Sequence, residues 1–273
     1  MSNISVDLVR GEYFPKIANK ILVHYDKLYC DPNSVKDGDI VYCDTHHLLT
    51  FKDILNTKKD IIIITHNNVT SVCDNDNYGL NARELTTYKK WYAQNLYIDQ
   101  ENMIPIPVGF ENRRWESHHN PKTKLLTAVE KEEIEPSNLV YFNCSLRTNF
   151  KKRKECHESI KNMKFVTIDL RTEKHLYIDY LRKIKQHKFV ISPRGKGLDC
   201  HRTWEVLKMK RVPIIQREGQ LEKLYQDMPI LFVDDWKDLY DLDLENLYSQ
   251  YDFIKQDYLS IDFWEKMIKS NLD

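Results

Sequence analysis

Phe189-Val-Ile-Ser-Pro-Arg-Gly-Lys-Gly-Leu-Asp-Cys-His-Arg-Thr-Trp-Glu-Val-Leu-Lys-Met-Lys-Arg-Val-Pro-Ile-Ile215 reads as a buried strand, a loop, a helix and a second buried strand. Apolar β-branched residues begin and end it, and helix-forming residues fill the middle. The loop Ser192-Pro193-Arg194-Gly195-Lys196-Gly197 holds two of the seven glycines in the chain. Gly195 and Gly197 allow close backbone approach to a ligand, and Asp199 is placed to cap the helix. The unpaired N–H groups at that helix start, with Arg194 and Lys196 beside them, offer a seat for a pyrophosphate. His201 and Glu205 are four residues apart and share a helix face, from which Glu205 can accept hydrogen bonds from ribose hydroxyls. The plainer alternative is a strand-turn-helix with surface charges, Arg202 and Glu205 pairing along the helix.

The same alternation extends outward on both sides. Further strands are expected at Leu139–Cys144, Lys164–Asp169, Val212–Gln216 and Ile230–Val233, with helices near 150–161, 173–186, 198–210 and 220–227. The last ~35 residues read as two helices. Toward the amino terminus, strands are expected at Ile21–Tyr25, Asp39–Cys43, Ile61–His66 and Met103–Val108. A helix is expected over Ala82–Leu96, with Leu85, Tyr88, Trp91, Tyr92 and Leu96 as its buried stripe. Pro105 and Pro107 put the fourth of these strands at a sheet edge or a strand end. Between Arg113 and Ser137 the composition turns charged and polar. The pattern predicts an α/β fold of two Rossmann-like lobes, residues 1–115 and 138–273, joined by a connection over 116–137, with ligands at the carboxyl ends of the strands.

Composition excludes several classes. Lys plus Arg and Asp plus Glu balance at 41 each, so no general field draws the chain to nucleic acid or anionic membrane. No apolar run approaches the ~20 residues of a membrane span. Met1 to Arg10 lacks the basic and apolar segments of a signal peptide. Cys30, Cys43, Cys73, Cys144, Cys156 and Cys200 are scattered without paired spacing, as suits reduced thiols in the cytoplasm.

The run Pro193, Arg194, Gly195, His201, Arg202, Glu205 and Pro213 resembles the carboxy-terminal signature of exostosin-like glycosyltransferases. Trp91–Asn95, Ile104–Gly109 and Leu231–Trp236 are similar to further segments of that family, so the likeness extends over roughly residues 60 to 265. The resemblance implies a GT-B-like architecture whose two lobes face a central cleft. It also implies an inverting transfer from a nucleotide-sugar donor, most often a UDP-sugar, held by the second lobe. Within the family, the group nearest by pattern includes xylose transferases, which points to UDP-xylose, with a glycan as acceptor. Family members usually carry a Golgi anchor, whereas this chain reads as a soluble microbial or large-virus member.

The expected donor-binding set is Ser145, Arg147, Ser192, Arg194, Gly195, His201, Arg202 and Glu205, the first two because they directly follow a strand. An inverting transfer needs one general base for the acceptor hydroxyl. Asp74 ranks first, then Asp44 and His66, all from the first lobe. With cations and a helix dipole at the diphosphate, no metal is expected to be required. Asp74-Asn75-Asp76 and Asp241-Leu242-Asp243 match the short D-x-D pattern of metal-dependent transferases, which keeps a metal-dependent enzyme using Asp74 and Asp76 as an alternative. A non-catalytic nucleotide- or glycan-binding module is the other. The pairs His46-His47 and His118-His119 are not expected to hold a metal, because neighbouring side chains on a strand point apart.

Overall fold

A computed structural model of the chain describes residues 7–74, 79–116, 121–170 and 176–270. Two five-stranded parallel sheets carry the molecule. The first consists of β1 (Lys20–Ile21), β2 (Ile40–Asp44), β3 (Ile62–His66), β4 (Lys90–Ala93) and β5 (Met103–Pro105), side by side in chain order. The second consists of β6 (Asn138–Cys144), β7 (Val166–Leu170), β8 (His187–Ile191), β9 (Val212–Gln216) and β10 (Leu231–Val233). Its spatial order is β7-β6-β8-β9-β10. The chain is thus an α/β protein of two Rossmann-like lobes, the GT-B-like layout expected from the sequence.

The helices that matter to the site are α1 (Lys122–Glu130), α2 (Phe150–Ile160), α3 (Tyr177–Lys185), α4 (His201–Lys208), α5 (Leu221–Leu224), α6 (Leu244–Ser249) and α7 (Ile261–Lys269). β3 is buried at every position, because a parallel strand inside an α/β lobe is covered on both faces. Ile62 and Ile64 enter one core cluster, Ile61 and Ile63 another. Pro105 ends β5 at the edge of the first sheet, where its missing N–H costs no ladder bond.

The helix expected over Ala82–Leu96 does not form. Ala82–Glu84 is one 3-10 turn, and Lys90–Ala93 is a strand. Trp91 and Tyr92 are both fully buried but enter different clusters, one on each face of the sheet. Central-strand burial on both faces produced an apolar spacing that also fits a helix. Near the carboxyl end, α6 and α7 form, but Ile254 lies between them and is 86% exposed instead of packed.

One hydrophobic cluster spans both sheets. It joins Ile62, Ile64 and Tyr92 of the first lobe to Tyr141, Val190 and Ile215 of the second, with Trp264 and Ile268 of α7. The Tyr92 hydroxyl donates to the Met267 carbonyl at 3.4 Å, and the Val9 amide donates to Leu259 at 2.8 Å. Among the described residues no helix is long and apolar enough to cross a membrane.

Candidate functional site

The carboxyl-terminal edges of the two sheets meet. The Leu198 amide donates to Asn95 Oδ1 at 2.9 Å, Val108 N–H to Asp199 Oδ2 at 2.7 Å, and Gln220 N–H to the Leu96 carbonyl at 3.0 Å. Gly197 is required here, since a Cβ would stand 2.7 Å from Asn95 Oδ1. The expectation that Gly197 makes room for a ligand is therefore corrected: it makes room for the first lobe. Gly195 has ordinary space around it, its nearest neighbours being Arg153 and Thr148.

Strand order reverses in the second sheet between β6 and β8, so the loops that follow these strands diverge around a crevice. Those loops are Ser145–Asn149 and Ser192–Cys200, the two elements singled out as donor-binding. Buried Arg153 of α2 ties them together. Its Nε donates to the Arg194 carbonyl at 3.1 Å and its Nη1 to the Ser145 carbonyl at 2.8 Å. Asn149 adds a bond from Nδ2 to the Gly195 carbonyl at 2.8 Å and also caps α2. In the sequence Arg153 looks no different from the basic run Lys151–Lys154 around it. Its burial, which depends on tertiary packing, is what singles it out.

A cavity of about 1010 Å3 opens beside this crevice. Asn149, Lys152, Arg194, Lys196 and Glu218 line it from the second lobe; Thr70, Asp74, Arg83, Tyr97 and Gln100 are among its lining residues from the first. Arg194 Nη1 donates to the Tyr97 hydroxyl and to Glu218 Oε1 at 2.6 Å, and its Nη2 to the Lys196 carbonyl at 3.0 Å. Lys152 Nζ lies 3.7 Å from the other Glu218 oxygen. Glu218, which the sequence reading passed over, thus sits between two cations where a ligand anion would compete for them.

The start of α4 is open: its N-cap is Cys200, with no side-chain cap. Asp199 does not cap it. The Asp199 carboxylate accepts from Trp204 Nε1, Val108 N–H and the Tyr225 hydroxyl, and burial raises its pKa. Arg202 keeps Nε and Nη1 buried without a hydrogen-bond partner among the described residues. Burial opposes its charge, but Tyr180, Cys200, Cys144 and Glu205 favour it, and its pKa stands above the ordinary value. The Ser192 hydroxyl is used internally, 3.0 Å from Thr203 Oγ1. Arg147 is exposed and is not among the residues that line the large cavity. Both Glu205 oxygens accept hydrogen bonds, from Tyr177 at 2.8 Å and Tyr180 at 2.9 Å. No Arg202–Glu205 ion pair occurs among the described residues.

The three base candidates are scattered. Asp74 lines the large cavity and pairs with Arg83 at 3.2 Å. Asp44 is buried, accepting from the Tyr42 hydroxyl at 2.9 Å with His24 Nδ1 at 3.6 Å. His66 is fully buried. Its Nδ1 accepts from the Asn67 amide at 2.7 Å and its Nε2 donates to the Pro107 carbonyl at 2.7 Å. Burial drives its pKa down to about 4.

Asp76, His118 and His119 lie outside the described residues. Asp243 of the second D-x-D caps α6, accepting from Asn246 N–H at 3.2 Å. His46 and His47 sit on a 3-10 helix, not a strand, and do not point apart: both Nε2 atoms are 2.9 Å from Asp26 Oδ1. Asn68 Oδ1 is taken by Thr70, so Asn68 Nδ2 donates to His46 Nδ1 at 2.8 Å. Asp26, His46 and His47 thus bring their ligand-type atoms within 4.8 Å of one another, contrary to the expectation that the two imidazoles diverge.

No protein-family model matches the chain, and no curated protein matches it. Solved structures do resemble it. A trehalose 6-phosphate synthase from Burkholderia multivorans aligns at 11% identity and a TM-score of 0.44, over 89% of this chain and 72% of that one. A GtfA/B complex aligns at 12% identity and a TM-score of 0.43, over 88% of this chain and 58% of that one. TarM aligns at 13% identity and a TM-score of 0.35, over 86% of this chain and 52% of that one. The chain thus spans little more than half the length of the last two. Similarity at this level leaves function to be argued from the site itself.

Proposed function

We propose that the protein is an exostosin-like glycosyltransferase that moves a sugar, with inversion, from a nucleoside-diphosphate donor to a glycan hydroxyl. One observation carries the reading. The strand-order reversal between β6 and β8 brings the loop Ser192–Cys200, with Arg194 and Lys196, to a cavity whose far wall is the first lobe, and α4 with its open start and Arg202 follows directly in the chain. A diphosphate there meets Arg194 and Lys196, with the uncapped start of α4 next along the chain, and the sugar it carries reaches the interlobe space. The orphaned Arg202 nitrogens support an anionic ligand, because a buried unpaired donor costs ~1–3 kcal/mol until it is satisfied. UDP is the favoured nucleotide and UDP-xylose the favoured donor, on the family resemblance. The scattered cysteines support a cytoplasmic setting.

Within this reading, leaving-group charge is met by Arg194, Lys196 and Arg202, so no metal is needed. Calorimetric titration with UDP and with a panel of nucleotide sugars tests the reading. Arg194→Ala is expected to weaken donor binding by ~10- to 100-fold, the value of a charge-assisted hydrogen bond. Unchanged affinity and turnover would sink the assignment. Release of nucleoside diphosphate in the presence of acceptor should persist in excess EDTA. Abolition by EDTA with rescue by manganese would transfer the reading to a metal-dependent enzyme using Asp74. Nucleotide binding without release under any acceptor would leave a binding module.

A further inference from the structure

A second cavity, of about 410 Å3, lies over the carboxyl ends of β3, β4 and β5 and meets the larger one at Val69, which lines both. Trp115, Arg114, Asn67, Asn112, Gln94 and His201 line it. Trp115 is 62% exposed, and the Arg114 guanidinium lies 4.5 Å from its ring and 3.5 Å from that of Tyr25. A flat aromatic beside planar amides is the chemistry that takes a sugar ring, whose C–H face stacks while its hydroxyls are hydrogen-bonded. Gln94 is only 5% exposed, yet its Oε1 has no hydrogen-bond partner among the described residues. A ligand hydroxyl would supply the missing donor.

The sixth residue bears on catalysis. His201 Nδ1 lies 2.7 Å from the Gly109 carbonyl oxygen. A carbonyl only accepts, so Nδ1 carries the proton and Nε2 presents a lone pair. The other basic groups nearby are engaged. Glu111 lines the same cavity, but its Oε2 holds Lys122 Nζ at 2.6 Å. Both nitrogens of His66 are occupied, and Asp74 lines the other cavity. His201, expected from the sequence among the donor-binding residues, lines this cavity and not the larger one; as the first residue of α4 it stands between the diphosphate seat and this cavity.

We propose that this cavity is the acceptor-sugar subsite and that His201 Nε2, not a first-lobe carboxylate, takes the proton of the attacking hydroxyl; the inference rests on the glycosyl-transfer reading above. The hydroxyl proton passes to Nε2, and its oxygen forms the new bond to the anomeric carbon of the donor. The bond from that carbon to the β-phosphate oxygen breaks, and its electron pair leaves with the nucleoside diphosphate beside Arg194 and Lys196. The imidazolium then returns its proton to water.

The test pairs a binding measurement with a kinetic one. The wild-type protein, its imidazole nitrogens labelled with 15N, is titrated with methyl glycosides of glucose, galactose, mannose, xylose and N-acetylglucosamine. The His201 Nε2 resonance is expected to shift with at least one of them. His201→Asn keeps a nitrogen donor for the Gly109 carbonyl while removing the rest of the ring and with it the basic Nε2. It should bind donor within ~3-fold of wild type and lose at least ~10²-fold in turnover. A His201 resonance unmoved by every glycoside, or near-normal turnover in His201→Asn, overturns the proposal. If nucleotide binds while the glycosides leave His201 unmoved, the donor reading stands and this subsite falls. If His201 responds to a glycoside but no nucleotide binds, the donor reading falls, the saccharide site remains, and the assignment of His201 as a base is overturned with it.

Discussion

Two histidines border the same cavity and do opposite things, because their surroundings differ. His66 has both nitrogens bonded to backbone and no exposure, so it is held neutral as a wedge between β3 and the Pro107 loop. Its pKa of about 4 lies below the ~6.5 of an unfolded imidazole. The unfolded chain therefore binds this proton more readily than the folded one. The stability it contributes is complete above about pH 6.5 and is lost as the pH falls toward 4. At about 1.4 kcal/mol for each pH unit between the two values, roughly 3 kcal/mol is at stake. Urea midpoints measured between pH 7 and 4.5 should fall accordingly, and His66→Gln should flatten that part of the profile. An unchanged slope in the variant would remove His66 as the cause. His187, whose pKa burial also lowers, acts in the same direction and is left intact by that comparison.

At the scale of elements, the crevice depends on α2 as much as on the glycine loop. Arg153 holds the carbonyls of Ser145 and Arg194 from one guanidinium, so the loops after β6 and β8 keep a fixed separation. Arg153→Met should cost ~1–3 kcal/mol, since it takes the guanidinium donor from two partly buried carbonyls, and should weaken nucleotide binding as well. Lys151→Ala, two residues away on the same helix and exposed, should stay within ~0.5 kcal/mol of wild type. Equal behaviour of the two variants in thermal melts and nucleotide titration would show that the staple has no such role. Strands, helices and the glycine loop of the second lobe were legible in sequence because short β-branched runs alternate with amphipathic ones. Arg153 was not, because a guanidinium inside Lys-Lys-Arg-Lys looks like its solvated neighbours until the fold buries one of them.

For the whole molecule, the shared core decides how it unfolds. The cluster joining β3 and β4 to β6, β8 and β9 also takes in α7, which returns from the carboxyl end to cover Tyr92. Lobes that share so much apolar surface lose it together. Scanning calorimetry should show one cooperative transition, with calorimetric and van't Hoff enthalpies in agreement. Two resolved transitions would mean that the lobes are stabilised separately.

The sequence by itself determined the α/β class, the two-lobed plan, nine of the ten sheet strands in outline, β1 meeting the expected Ile21–Tyr25 only at Ile21, and the loop from Ser192 to Cys200. Period, β-branching and glycine placement are local properties, and they can be read along the chain. Tertiary structure decided the rest. It made a strand of Lys90–Ala93, because cover on both faces cannot be read from spacing alone. It set Asp199 and Gly197 to joining the lobes and buried Arg202 with its Nε and Nη1 lacking a hydrogen-bond partner among the described residues. It also turned His201 toward Gly109, 92 positions away, and so chose which of its nitrogens keeps a lone pair. A tautomer is set by the hydrogen bond its other nitrogen makes, and that partner is known only when the chain has folded.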